Sequence, residues 1–226
     1  MKLTSISALA GAAAICLAAT GAQAVVTFVG YQTAVNPGEA LVTGFEGGPT
    51  LADVIFNHPG YSLAGSAVLF TGSTDGLSAA PATSAVTRDA TQYLSVQGGQ
   101  SATLDTPLLN AISFYVGSLD GYNSFTFHLA DGSTEVVTGS TLDALPGTDA
   151  NGNQTDFTTN GRLTFSFGSA IDSVNFGSGS NSLEISDIAA LAATVPEAST
   201  WAMMILGMGG VGGLLRRRRR IAPAFA

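Results

Sequence analysis

Apolar and polar residues alternate along three segments in the middle of the chain. The apolar positions are Ile112, Phe114 and Val116 in the first segment, Phe125, Phe127 and Leu129 in the second, and Leu163, Phe165 and Phe167 in the third. A period of two residues is typical of strands that turn one face to a core and the other to water. The middle of the chain is therefore predicted to form β-strands.

Shorter apolar runs and turn residues extend this pattern. The runs are residues 25–31, 40–45, 67–71, 92–96 and 101–105, and Gly, Pro, Asn or Asp bounds each of them. Asp120-Gly121 and Asp131-Gly132 carry the residues that tight hairpin turns need. About ten short strands on one core favour an all-β fold, an antiparallel β-sandwich that is jelly-roll-like. A β-solenoid is the alternative, but the fixed internal repeat that it requires is missing from the sequence.

The N-terminus has the pattern of a signal peptide over residues 1–24. Lys2 is followed by an apolar, alanine-rich run over residues 3–19. Ala22 and Ala24 form a small-x-small site, so we expect signal peptidase to cleave after Ala24 and leave Val25 as the first residue.

Residues 25–193, called the passenger from here on, are strongly acidic. They carry fifteen acidic residues against Arg88 and Arg162, a net charge of −13. Such a charge argues against nucleic acid or anionic lipid as a partner. The single cysteine, Cys16, lies in the predicted signal peptide, so disulfides cannot stabilise the passenger.

Residues 194–220 combine a short motif, an apolar segment and a cluster of positive charge. The motif residues are Val195, Pro196, Glu197 and Trp201, and the cluster is Arg216, Arg217, Arg218, Arg219 and Arg220. The apolar residues 198–215 number 18, slightly fewer than the ~20 that span a bilayer as a helix. A short hydrophobic transmembrane helix is predicted here, with the arginines on the cytoplasmic side. One interpretation is a plain anchor that holds the passenger in the periplasm.

The second interpretation comes from resemblance. Val-Pro-Glu-Ala-Ser-Thr-Trp-Ala before an apolar, glycine-rich run and arginines resembles the PEP-CTERM sorting signal, in its form with Trp-Ala after the motif. Ala198 stands where that family usually has proline. The resemblance implies a Gram-negative bacterium and recognition by an inner-membrane exosortase. It also implies brief residence in that membrane, removal of the tail, and delivery to the cell surface or medium. Residues 221–226 form a short tail after the signal.

Two segments of the passenger resemble stretches common in exosortase-dependent surface proteins. They are residues 114–124, Phe-Tyr-Val-Gly-Ser-Leu-Asp-Gly-Tyr-Asn-Ser, and residues 180–188, Ser-Asn-Ser-Leu-Glu-Ile-Ser-Asp-Ile. This likeness implies a class of protein and no active site.

Familiar catalytic motifs are missing from the sequence. It contains no Gly-x-Ser-x-Gly elbow, no His-Glu-x-x-His motif and no thiol nucleophile in the passenger. The passenger also has no tryptophan, the usual platform for sugar rings in a glycosidase cleft. The sequence therefore predicts a protein that is not an enzyme.

Two kinds of binding site are candidates. Tyr115 and Tyr122 are candidate carbohydrate-binding residues, and Tyr115 points away from its apolar neighbours in the predicted strand. The alternative is that such tyrosines cover the ends of the core. For a structural Ca²⁺, which prefers oxygen ligands, the candidates are Asp149, Asn151, Asn153 and Asp156 in one loop and Glu46 with Asp187 elsewhere. Acidic loops that are simply solvated are the alternative; the sequence requires no cofactor.

The sequence thus predicts an exported, non-enzymatic surface or extracellular-matrix protein associated with exopolysaccharide or the cell envelope. The alternatives are a carbohydrate-binding module of the jelly-roll type and a membrane-anchored periplasmic protein with an unprocessed tail.

Overall fold

The computed structural model describes residues 14–16, 24–193 and 203–208. The chain divides into two compact units, Met1–Ala193 and Thr194–Ala226, and in the second unit residues 203–208 are helical. None of the helices in the described parts of the chain is long and apolar enough to cross a membrane. Several predicted signal residues lie outside the described residues: Ala22, Val195, Pro196, Glu197, Trp201, Arg216, Arg217, Arg218, Arg219 and Arg220.

Nearly all of the regular secondary structure in the described part of the first unit is strand, as the alternating pattern predicts. The strands are β1 Ala14–Cys16, β2 Val25–Gly30, β3 Ala40–Thr43, β4 Ser62–Gly65, β5 Val68–Thr71, β6 Gln92–Val96, β7 Ser101–Gly117, β8 Asn123–Leu129, β9 Thr134–Thr138, β10 Gly161–Ser178 and β11 Leu183–Ala192. A 3₁₀ turn at Leu51–Asp53 and a short helix, α1 at Gly139–Leu142, interrupt them. Two of the strands are longer than expected, since β7 has 17 residues and β10 has 18.

All strand pairs are antiparallel, and the two long strands belong to both layers of the sandwich. One layer has the order β1-β2-β10-β7-β11-β6-β5, with β3 also paired to β11. In the other layer, β8 pairs with β10 and β9, and β4 pairs with β7. The first part of β10 pairs with β2 and its second part with β8, and the register shifts on both sides of Ile171. The hydrogen-bonded sheet thus folds over onto itself, which confirms the antiparallel β-sandwich.

Phenylalanine rings from both layers meet in the core. The Phe114 ring lies 5.1 Å from that of Phe125 and 5.2 Å from that of Phe165, and the Phe176 ring meets it edge-on at 5.3 Å. All four side chains are fully buried. The nine alternating apolar positions are buried too, which confirms which face of each strand forms the core.

The opposite face of the first layer is covered as well, which the sequence pattern did not predict. Ser113, Tyr115 and Arg162 point away from the core positions of β7 and β10, yet each is almost completely buried. Segments 31–36 and 79–82 lie over them, because Arg162 donates to the backbone of the first and Tyr115 to the backbone of the second. This part of the sheet has no face in water.

One of the two predicted hairpin turns is confirmed and the other is wrong. Asp131-Gly132 joins the paired strands β8 and β9, and Gly132 has a φ of 85°. Asp120-Gly121 joins β7 to β8, but β8 pairs with β9 and β10. The segment crosses between layers, and its backbone pairs with the loop at Asn151. A turn motif alone does not reveal which strands will become partners.

Replacing Phe114 by alanine is expected to destabilise the passenger by about 3–5 kcal/mol, because it removes the ring that joins three others across both layers. Denaturant unfolding followed by circular dichroism measures this change. The control is Val136→Ala, since Val136 is 58% exposed; it should change the stability by less than about 0.5 kcal/mol. Equal effects of the two changes would contradict the central role of Phe114.

A polar cavity around Glu184

A cavity of about 500 Å³ opens where four connecting segments meet. These are residues 73–79 after β5, 118–122 after β7, 151–154 in the long loop before β10, and 181–184 at the start of β11. The two segments that resemble surface-protein sequences, residues 114–124 and 180–188, thus meet here. The structure joins into one site what the sequence shows as separate stretches.

Glu184 is the buried carboxylate of this cavity, with 2% of its surface exposed. Its Oε1 accepts hydrogen bonds from Ser78 Oγ at 3.0 Å, from the Ala79 backbone N–H at 3.1 Å, and from Ser182 Oγ. None of the described residues donates to Oε2. Three donors therefore hold one oxygen of Glu184, a residue of the cavity lining, while its other oxygen receives none from the described residues.

Burial raises the pKa of Glu184 from its usual value of 4.5 to about 7. The three hydrogen bonds to Oε1 lower this pKa, and the nearby carboxylate of Asp120 raises it. Desolvation is the largest cause, because a charged carboxylate loses its hydration in the cavity.

Ser78 connects Glu184 to the strands beneath the cavity. Its hydroxyl oxygen lies 2.9 Å from Ser95 Oγ and 3.1 Å from the Tyr93 hydroxyl. Tyr93 in turn donates to the Gly72 backbone carbonyl at 2.8 Å. Since Ser78 gives its one proton to Glu184 and Tyr93 gives its own to Gly72, the approach of Ser78 to Tyr93 is a packing contact, and Ser78, Ala79 and Ser182 position the Glu184 carboxylate.

Asp120 and Tyr122 form another wall. The pKa of Asp120 is raised, mainly by burial, and that of Tyr122 is raised by burial and by the neighbouring Asp120. Tyr122 is 39% exposed, and its hydroxyl donates to the Asn181 carbonyl at 2.8 Å. Gly152 lies so close to the Asp120 carboxylate that a Cβ would overlap with it. The loop at residues 151–154 can therefore approach Asp120 this closely only with glycine at position 152.

The structure separates the two candidate carbohydrate-binding tyrosines. Tyr122 lines the cavity with a partly exposed ring. Tyr115 is only 1% exposed, and its hydroxyl donates to the Ala82 carbonyl. The expectation that Tyr115 contacts a ligand is wrong, because residues 79–82 cover the face of the sheet on which it lies.

The oxygens of the candidate calcium loop are largely used within the loop itself. Asn151 Oδ1 accepts from the Asn153 N–H at 3.0 Å, Asn153 Oδ1 from the Thr155 N–H at 3.1 Å, and Asp156 Oδ1 from the Thr158 N–H at 3.2 Å. Asp149, the fourth candidate, is exposed at the start of this loop. Among the described residues, no three acidic, histidine or cysteine side chains converge on one point.

Glu46 and Asp187, the second calcium hypothesis, do line one cavity, of about 420 Å³. Both oxygens of Asp187 accept from Arg162 Nη2, at 2.7 and 2.9 Å. Burial raises the pKa of Asp187, and the Arg162 guanidinium opposes that rise. A cation here would compete with this guanidinium. Calcium at either place stays a prediction, which a chelator that lowers the melting temperature would support.

The sequence contains one feature that indicates the Glu184 site, although Glu184 was not among the predicted site residues. Glu184 stands between Leu183 and Ile185 in an apolar strand, and its neighbours across the sheet are Ser95 and Gly117. An acidic residue within a buried strand needs donors around it, and such a position is often functional.

Glu184→Gln is expected to flatten the pH dependence of stability. With a raised pKa, the folded state holds a proton that the unfolded state has lost, so wild-type stability falls as the pH rises from about 4.5 through 7. Between pH 5 and 8 the free energy of unfolding of the wild type should fall by up to about 3 kcal/mol, and that of the variant should not show this fall. Urea unfolding at a series of pH values measures it.

Asp172→Asn, which removes an exposed carboxylate, is the control for the loss of one charge. If Glu184→Gln and Asp172→Asn give the same profile, the buried Glu184 does not cause the pH dependence.

Comparison with solved structures found weak likenesses. One is the catalytic domain of a GH87 alpha-1,3-glucanase in complex with nigerose, at 13% identity and a TM-score of 0.36, with 72% of this chain and 30% of that chain covered. Another is CsCBM6-3 from Clostridium stercorarium in complex with cellobiose, at 10% identity and a TM-score of 0.31, with coverage of 68% and 98%. The chain thus spans less than a third of the glucanase domain, and no function is inferred at these TM-scores. No curated protein matched the sequence.

Comparison with protein families gave one match, at the C-terminal end of the chain. It covers residues 194–220, the same motif, apolar run and arginines that the sequence analysis singled out. Residues 194–220 match the PEP-CTERM protein-sorting motif, so the chain carries this sorting signal.

Proposed function

We propose that this protein is delivered to the cell surface or the extracellular matrix after processing at both ends. The sorting motif at residues 194–220 carries the proposal. Signal peptidase would cleave after Ala24, and an exosortase in the inner membrane would then recognise the motif and remove the tail. The passenger would be released with the C-terminus of β11 close before the cut, because β11 ends at Ala192.

The passenger itself is proposed to act without catalysis, in association with exopolysaccharide or the cell envelope. Its net charge of −13 argues against nucleic acid and anionic lipid as partners, which leaves neutral or cationic polymers as the favoured ones.

Intact-mass analysis of the native protein from separated cell fractions tests the sorting proposal. We expect a form in the surface or medium fraction that begins at Val25 and ends near Pro196. An intact C-terminus with all five arginines, found only in the inner membrane, would instead show a plain anchor.

A variant with alanine at both Pro196 and Glu197 should remain uncleaved in the inner membrane, because it lacks the residues that define the motif. The matched control has alanine at Val86 and Asp172, two exposed residues outside the motif, and should be processed normally. Surface delivery of both variants would contradict recognition through the motif.

A second function, carbohydrate binding by the passenger, is supported by the cavity around Glu184. Tyr122 offers a partly exposed ring beside a polar wall that contains hydroxyls, amides and carboxylates. Sugar recognition uses such a combination, with a ring against the apolar face of a pyranose and polar groups on its hydroxyls.

Tyr122→Ala is expected to weaken glycan binding at least about tenfold, equivalent to 1.4 kcal/mol. Glycan-array screening followed by titration with the best ligand measures this. Phe157→Ala is the control, since Phe157 is also an exposed aromatic residue but does not line the cavity. Equal affinities of wild type and Tyr122→Ala would reject the cavity as the binding site.

Hydrolysis assays on the same glycans test the non-enzymatic part of the proposal. No product is expected. Hydrolysis by wild type that disappears in Glu184→Gln would make the passenger an enzyme.

A further inference from the structure

We propose that the cavity around Glu184 recognises a protonated primary amine, and that its ligand is an amino sugar bearing that group. The sugar part of this inference rests on the carbohydrate-binding function proposed above. The recognition of ammonium rests on the cavity itself.

The Asp, Glu, Lys, Arg and His side chains among the described lining residues are all acidic. Asp75, Asp120 and Glu184 contribute three carboxylates, and the described lining residues include no lysine, arginine or histidine. An anionic ligand, such as a uronic acid or a sulfated sugar, would meet repulsion without a counter-charge. A cationic ligand would supply the positive charge that the lining lacks.

Glu184 offers a specific acceptor for an ammonium group. Oε1 is already held by three donors, and none of the described residues donates to Oε2. A buried carboxylate gains most from a donor that also carries charge, because such hydrogen bonds are stronger than neutral ones. Ser78, Ala79 and Ser182 keep this acceptor in place before the ligand arrives.

The spacing of the carboxylates favours an organic cation over a metal ion. No three acidic, histidine or cysteine side chains of the described residues converge as ligands on one point. The cavity holds about 500 Å³, which is within the range of small-molecule sites. Glu184 and Tyr122 both line this cavity, so an amino sugar that fills it would meet a carboxylate for its ammonium and an aromatic ring for its pyranose.

The groups that face Glu184 act together on its titration. Asp120 raises the pKa of Glu184, and Glu184 in turn raises those of Tyr93 and Tyr122, while Asp75 is a further charge of the lining. With a pKa of about 7, Glu184 holds a proton at pH 6 and must release it to pair with ammonium. Binding of a cation that stays protonated should therefore strengthen from pH 6 to 8.

Isothermal titration calorimetry of the full-length chain in non-ionic detergent tests the inference. The ligands are the tetramers of glucosamine and of N-acetylglucosamine, which differ only in amine against acetamide, with putrescine and calcium chloride. At pH 7, where about half of Glu184 is ionised, the glucosamine tetramer should bind at least ten times more tightly than the acetylated tetramer. Putrescine should bind more weakly, with an affinity that rises from pH 6 to 8.

The preference is the ratio of the affinities for the glucosamine and the acetylated tetramers. Glu184→Gln should reduce this ratio at least tenfold, and Asp120→Asn should reduce it as well. Glu46→Gln, in the other cavity, is the control and should retain it. Asp120→Asn keeps the test valid if Glu184→Gln does not fold, which circular dichroism would show.

The outcomes distinguish this inference from the function on which it rests. Equal affinity for the two tetramers would overturn amine recognition and leave carbohydrate binding standing. Binding of putrescine as tight as that of the glucosamine tetramer would support ammonium recognition and overturn the sugar. Binding of calcium alone would overturn the inference in favour of a metal site, and binding of none of the four would overturn both proposals.

Discussion

The buried guanidinium of Arg162 holds the segment at residues 31–36 against the sheet, while its ion pair with Asp187 joins two strands of that sheet. Arg162 is 1% exposed, and it donates to the Ala34 and Thr33 carbonyls and to Ser113 as well as to Asp187. A guanidinium without these acceptors would be too costly to bury. The loop at residues 33–34 must therefore lie over β7 and β10, and the sheet is covered on both faces. In a domain of net charge −13, one of only two arginines serves this purpose.

The same need to satisfy buried polar groups explains the cavity. At Arg162 the protein supplies every partner that the charge needs. At Glu184 it supplies donors for one oxygen only, while Asp120 adds a second desolvated carboxylate to the same wall. The cavity thus contains two desolvated carboxyl groups that no basic residue of the described lining neutralises, and burial favours the protonated form of each.

The sequence predicted the parts of the fold that follow from local periodicity. Alternation at Phe114, Phe125 and Phe165 identified strands and the core face of each, because a period of two residues records which side is buried. It could not predict that Tyr115 is covered, since the covering segment lies more than thirty residues away in the chain. The convergence of Asp120 and Glu184 depends on connections between layers in the same way. The sorting motif could be identified from the sequence because its residues are contiguous, so the identification did not depend on knowing the fold.

The order in which the strands appear along the chain has a consequence for export. β2 pairs with β10, whose first residue, Gly161, pairs with Gly30, and the central strand β11 is the last strand of the passenger. Pairings of such long range form slowly, because the intervening chain must first be brought together. If the chain crosses a membrane from its N-terminus, the sandwich cannot be completed on the far side until β11 has followed.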